Sequence, residues 1–153
     1  MKAKKVLALA LSCSLALAAL AGCSSSGSEG EAPATGSGSA SGENVIRIGM
    51  FEPSTGDSAS GGKKEMLGMQ YANSETPTVT LGDVEYTIEL VPADNGSTTD
   101  KAPTAASQLV SQGVSLVLGS YGSGVSIAGG PVFGEAGIPA IGVTCTNPNV
   151  TAG

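Results

Sequence analysis

The 153-residue chain contains no histidine and no tryptophan, and only three tyrosines and two phenylalanines. Without histidine, a Ser-His-Asp triad cannot be assembled from this chain alone. Cysteine is scarce, and the part of the chain that can fold holds a single thiol, Cys145. One thiol and no histidine exclude a Cys/His zinc centre there, and also a disulfide within the domain. Basic residues are few. Setting aside Lys2, Lys4 and Lys5, four Lys and Arg face 13 Asp and Glu, a net charge of −9. So acidic a surface argues against nucleic-acid binding. Phosphate-binding signatures are missing too. There is no Gly-Lys-Ser/Thr, and the series Gly119, Gly122, Gly124 lacks the spacing of the dinucleotide fingerprint. No cofactor is implied.

Long apolar runs are confined to the start. The chain opens "MKAKKVLALALSCSLALAALAGC", with three lysines followed by an almost unbroken apolar stretch from Val6 to Ala21. A positive segment, a short apolar segment and a small-residue ending read as a secretory signal. The stretch is too short for a confident membrane span. Leu20-Ala21-Gly22-Cys23 resembles the lipobox of bacterial lipoproteins. On that likeness residues 1–22 are a signal peptide, and Cys23 carries the lipid that anchors the protein on the extracytoplasmic face of the cell membrane. From Ser24 to Gly42 the composition is almost wholly Ser, Gly, Ala, Glu, Pro and Thr. Such a segment cannot bury a core, and residues 23–44 are expected to form a disordered tether.

What remains is Val45 to Gly153, about 109 residues, enough for one small domain. Val45 to Met50 is a strand candidate, and "FEPSTGDSASGG" (51–62) reads as a loop by its Pro, Gly and Ser content. "KKEMLGMQYAN" reads as a helix weakened by Gly68. Tyr86 to Val91 is a second strand. Ala102, Ala105, Ala106, Leu109 and Val110 then recur at helical spacing, with Pro103 placed in the first turn. Val114 to Leu118 is a third strand. A third helix over about 123–136 is expected to kink at Pro131. Ile138 to Val143 is a fourth strand. The order β-α-β-α-β-α-β predicts an α/β fold, with a parallel sheet covered by helices on both faces. Ligands of such sheets collect at the carboxyl ends of the strands. Three polar loops fall there: 53–62, 120–124 and 144–147.

The turn "GSYGSGVS" after the third strand admits more than one reading. Its glycines allow positive φ and Ser123 can cap its own helix. Alternatively, the N–H groups of Gly122 to Gly124 at a helix N-terminus, with the Ser123 hydroxyl, suit a carboxylate. Thr144 and Thr146 at the next strand end would add hydroxyls and carbonyls. Together the loops could hold both ends of a zwitterion.

Three stretches, "IRIGMFEPSTGDSASGG", "GVSLVLGSYGSGVS" and "GIPAIGVTCTNP", resemble the leucine-binding family of type I periplasmic binding proteins. These are the substrate-binding proteins of branched-chain amino-acid ABC transporters. The resemblance implies a two-lobed fold that clamps a small amino acid or analogue and delivers it to a membrane permease, without enzymatic chemistry. It maps carboxylate binding to Ser123, beside the N–H of Gly122 already considered, the grip on the carboxylate and amino ends to Thr144 and Thr146, and closure over the side chain to the neighbourhood of Ser60 and Gly61. Some members carry an aromatic residue where Gly61 stands. Against the family's length, the chain stops within the first half of one lobe, and it is read as a fragment. A sensory domain of a receptor or regulator with the same fold is the alternative.

Overall fold

In a computed structural model, residues 44–152 are described. The signal segment 1–22, Cys23 and all but the last residue of the 23–44 tether lie outside the described residues. The elements run β1 (Val45–Glu52), α1 (Ala59–Glu75), β2 (Thr78–Leu81), β3 (Val84–Asp94), α2 (Ala102–Ser111), β4 (Leu116–Leu118), α3 (Ser123–Glu135) and β5 (Ala140–Ile141), then a 3₁₀ turn at Pro148–Thr151. They form one five-stranded sheet in the order β2-β3-β1-β4-β5. Strands β3, β1, β4 and β5 are parallel.

Strand alternation assigns the two faces. A side chain at Gly49 would point at Leu109 of α2 and Val117 of β4. Phe51, two residues on, meets Phe133 of α3 edge to face, with ring centroids 5.3 Å apart. This face holds the core, where Phe51, Val91 and Val117 meet Ala105, Ala106 and Leu109 of α2. The alanine stripe of α2 is what lets that helix lie close to the sheet. On the opposite face, Ile48, Ile88, Leu90 and Leu118 line one depression together with Met69, Ala72 and Asn73 of α1. The expected α/β architecture, with helices on both faces, is therefore present.

Three local expectations are corrected. The sheet is not wholly parallel, because β2 pairs antiparallel with β3 through the Gly82 turn, where φ is +63°. At four residues, with Thr80 and Leu81 exposed, β2 is a short edge strand with little periodicity to read. Next, α1 begins at Ala59 and takes in most of the second half of the expected loop. Its glycines serve close approach rather than chain breaking: a Cβ at Gly61 would sit 2.5 Å from the Tyr121 ring, and one at Gly62 would collide with Pro53. Third, α3 continues through Pro131. Pro131 is exposed, and the Ile127 turn it deprives of a hydrogen bond lies at the surface, where water can take the carbonyl. Gly129 of α3 also has a packing role, since a Cβ there would sit 2.7 Å from Phe51.

Candidate functional site

The carboxyl ends of β1, β3 and β4 converge, and Asn95 is the residue that ties them. It is wholly buried. Its Nδ2 donates to the Phe51 carbonyl (3.1 Å) and to Ser120 Oγ (2.9 Å). Its Oδ1 accepts from Ser97 N (3.1 Å). One side chain thus ties together the carboxyl ends of three strands. Beside it, Asp94 organises the loop after β1. Oδ1 accepts from the N–H groups of Ser54, Thr55 and Gly96, and Oδ2 from the Thr55 hydroxyl at 2.6 Å. Desolvation pushes the Asp94 carboxyl up. The Thr55 hydroxyl and the three N–H donors outweigh it and hold the group far below the usual carboxylate range. Ser97 completes the seam, accepting from Ser58 N and donating to the Thr55 carbonyl.

Glu52, the last residue of β1, lies fully buried under the same loops. Its Oε2 accepts from Tyr121 N at 2.7 Å. Burial, reinforced by the neighbouring Glu65 carboxyl, pushes Glu52 up to about 8, against the pull of the Tyr121 N–H. Gly119 is needed at the start of this turn, because at its φ of +124° a Cβ would strike the Phe51 carbonyl and Glu52.

The turn ends with Gly122 (φ +116°) at the N-cap of α3, and no side chain caps that helix. The N–H groups of its first turn are left for solvent or a ligand. Ser123 does not cap its own helix. Its Oγ accepts from the N–H groups of Thr146 (3.1 Å) and Asn147 (3.2 Å) in the loop after β5. With both lone pairs so engaged, the hydroxyl proton remains to donate. A second stitch joins the same loops. Ser126 Oγ accepts from Ser120 N and lies 3.0 Å from Cys145 Sγ, which also donates to the Ser120 carbonyl.

The structure therefore brings Gly122, Ser123 and Thr146 together. Thr144 lies on the same loop, exposed. Ser60 and Gly61 sit in the first turn of α1 rather than in a loop. Gly61 is flush against the Tyr121 ring, so the aromatic surface at this position comes from the turn after β4. The edge forms an open shelf. A depression of about 590 Å³ lies elsewhere, on the mostly apolar flank of α3 lined by Ile127, Pro131, Ile138 and Val150. We place the candidate site at the shelf, where free donors converge, rather than at that depression. Among the described residues no group of three or more His, Cys, Asp or Glu side chains is placed to hold a metal ion.

Asn95, Asp94, Glu52 and Tyr121 were not among the residues expected from sequence. "ADNGSTT" signals a turn, and nothing in it distinguishes an Asn that faces solvent from one that ties three strands. The one available signal for Glu52 was a lone acid inside the apolar run "IGMFEP".

A family model described as periplasmic binding protein matches residues 45–153. The Leu/Ile/Val-binding protein homolog 2 of Brucella abortus is 31% identical over 106 residues, which are 69% of this chain and 28% of that protein. Among solved structures, the leucine binding protein LivK of Thermotoga maritima is similar with a TM-score of 0.65 and 32% identity, over 71% of this chain and 30% of that one. LivJ of Streptococcus pneumoniae, a branched-chain amino acid transporter substrate binding protein solved with isoleucine, is similar with a TM-score of 0.62 and 29% identity. It is matched over 71% of this chain and 31% of its own. The chain belongs to the periplasmic binding protein family, and residues 44–152 carry part of the type I fold of those structures. It spans 28% of the length of the Brucella relative.

Proposed function

We propose that the chain supplies one wall of the binding cleft of an extracytoplasmic solute-binding lipoprotein, which captures an amino acid of the branched-chain type for an ABC permease. The observation that carries this reading is the Ser123 arrangement. Its oxygen is occupied by two backbone N–H groups, so its proton is free, and it stands at an uncapped helix N-terminus. Donors arranged in this way suit a carboxylate by charge-assisted hydrogen bonds and by the helix dipole. In this reading Gly122 and Ser123 hold the carboxylate, and carbonyls of the Thr144–Thr146 loop take up the ammonium. The flank of Ser60, Gly61 and Tyr121 meets the side chain. Binding is non-covalent, and no group here is asked to perform catalysis. Residues 1–22 direct export, Cys23 holds the lipid and residues 23–44 tether the domain to the membrane. The relatives' names support the ligand class.

Calorimetric titration of the full-length protein with L-leucine, L-isoleucine and L-valine tests this. Saturable binding of at least one is the expected result. Failure of all three, with a carboxylate of another class bound instead, would remove the amino-acid assignment. A sensory domain with the same fold is the competing reading. It predicts an effector domain downstream and no permease association, which co-purification from membranes distinguishes.

A further inference from the structure

We propose that Glu52 and Glu65 form a proton-sharing carboxyl pair that makes ligand capture at the neighbouring shelf dependent on pH. The capture clause rests on the binding reading above, whereas the pair itself rests on the buried, donorless oxygens of the two side chains and stands independently of that reading. Glu52 is fully buried, and of its two oxygens only Oε2 has a donor, the Tyr121 N–H. Glu52 Oε1 and both carboxyl oxygens of Glu65 are buried with no donor. After burial itself, the Glu65 carboxyl is the group that raises Glu52, by its hydrogen-bonding capacity and by its charge.

Ionised carboxylates only accept hydrogen bonds. Both charges together would leave three desolvated acceptor oxygens and a like-charge contact. A single proton ends the like-charge contact and satisfies two of the three oxygens, because one carboxyl then donates to the other. No basic group is available to do the same. Around Glu52 the titratable groups are Glu65 on α1, Asp94 beside it in the register of β3, Tyr121 in the turn after β4, and Cys145 behind that turn. Asp94 is already filled with its own donors. Lys63 and Lys64 on α1 are exposed, Lys101 is exposed beside Gly96 in the loop after β3, and Arg47 pairs with Glu89 at the far end of the strands.

The pair is placed to matter for the shelf. Glu52 fixes the backbone of Tyr121, and the Tyr121 ring lies on Gly61 of α1, four residues before Glu65. Ionising both carboxyls drives α1 away from the turn and separates the Tyr121–Gly61 wall beside Ser123. Capture that needs this wall closed therefore takes up a proton. The sign follows from the shift. Glu52 is raised from an ordinary 4.5 to about 8. Between those values the folded chain keeps a proton that the unfolded chain has released. Stability then falls as pH rises through that window and levels off above it.

The test uses ¹³C-carboxyl-labelled glutamate and NMR titration, with thermal unfolding from pH 5 to 9, on the wild type, Glu52→Gln and Glu65→Gln. One glutamate titrating near 8, absent in Glu52→Gln, is expected. So is a wild-type melting temperature that falls across the window and is flattened in that variant. If Glu52→Gln does not fold, Glu65→Gln decides. Its amide supplies the missing donor, so Glu52 should titrate well below 8. Wild-type glutamates that all titrate in the ordinary range overturn the pair. For the capture clause, L-leucine affinity of the full-length protein is compared at pH 6.5 and 9. The expected loss is up to about tenfold per unit above the pair's titration, and it should be absent in Glu52→Gln. Equal affinity at both pH values, with the titration present, overturns the coupling. No leucine binding at either pH overturns the ligand reading and the capture clause with it, while the carboxyl titration still decides the pair.

Discussion

Replacing Asn95 with alanine should undo the convergence of strand ends on which the shelf depends. Three hydrogen bonds are lost, at 2.9 to 3.1 Å, from a side chain with no solvent exposure. Two of the abandoned partners matter most. Ser120 is itself fully buried, and the Phe51 carbonyl lies in the buried end of β1. An abandoned buried group costs about 1–3 kcal/mol, so the two together cost roughly 2–6 kcal/mol. That is a large part of the roughly 5–15 kcal/mol by which native domains are stable. Ser97 N is nearer the surface, and water can replace its acceptor. Urea unfolding read by circular dichroism measures the effect. The midpoint should fall with little change of slope, since the surface exposed on unfolding is nearly the same. Asn95→Asp should be no better. It keeps the acceptor for Ser97 but loses both donors and buries a carboxylate. A loss of under about 0.5 kcal/mol, the range of ordinary surface substitutions, would refute the view that Asn95 ties the strands.

Further outcomes concern the neighbouring residues. Gly61→Ala should displace the Tyr121 ring at a cost of about 1–3 kcal/mol, and adding Tyr121→Ala should recover part of it, as a double-mutant cycle in denaturant will show. Asp94→Asn should cost stability at neutral pH, and its gap to the wild type should close as pH falls below the ordinary aspartate range. The sign follows because a carboxyl held low stabilises the fold above its unfolded pKa and loses that contribution on protonation. Intact-mass analysis of the membrane fraction should find a mature N-terminus at a diacylglyceryl-modified Cys23. An unmodified Cys23, or another N-terminus, contradicts the lipoprotein assignment.

The parts of the fold that were legible in the sequence are those whose periodicity is set by burial. The alanine spacing of α2 placed that helix, and the apolar runs at β1, β3 and β4 placed three strands. The gathering of polar loops at one sheet edge followed from the β-α order. Where a residue's role depends on what lies across from it, local composition misled. Gly61 and Gly62 looked like loop residues, yet each stands where a Cβ would meet another part of the chain. Capping by Ser123 was one of the readings open in the sequence, but its partners are 23 and 24 residues further on. Glu52 became distinctive only once Glu65 was folded over it.

The central claim is that Ser123, at the uncapped start of α3, holds a carboxylate. The most direct measurement compares L-leucine with L-leucinamide by calorimetric titration of full-length wild type and Ser123→Ala. The loss of one hydrogen bond to a charged group is worth roughly 1.5–3 kcal/mol, about a tenfold to hundredfold fall in leucine affinity. The amide, which carries no carboxylate, should be weak in both proteins and little changed by the substitution. Leucine affinity left intact in Ser123→Ala, with only a lowered melting temperature, would show that the hydroxyl serves the Thr146 and Asn147 loop alone.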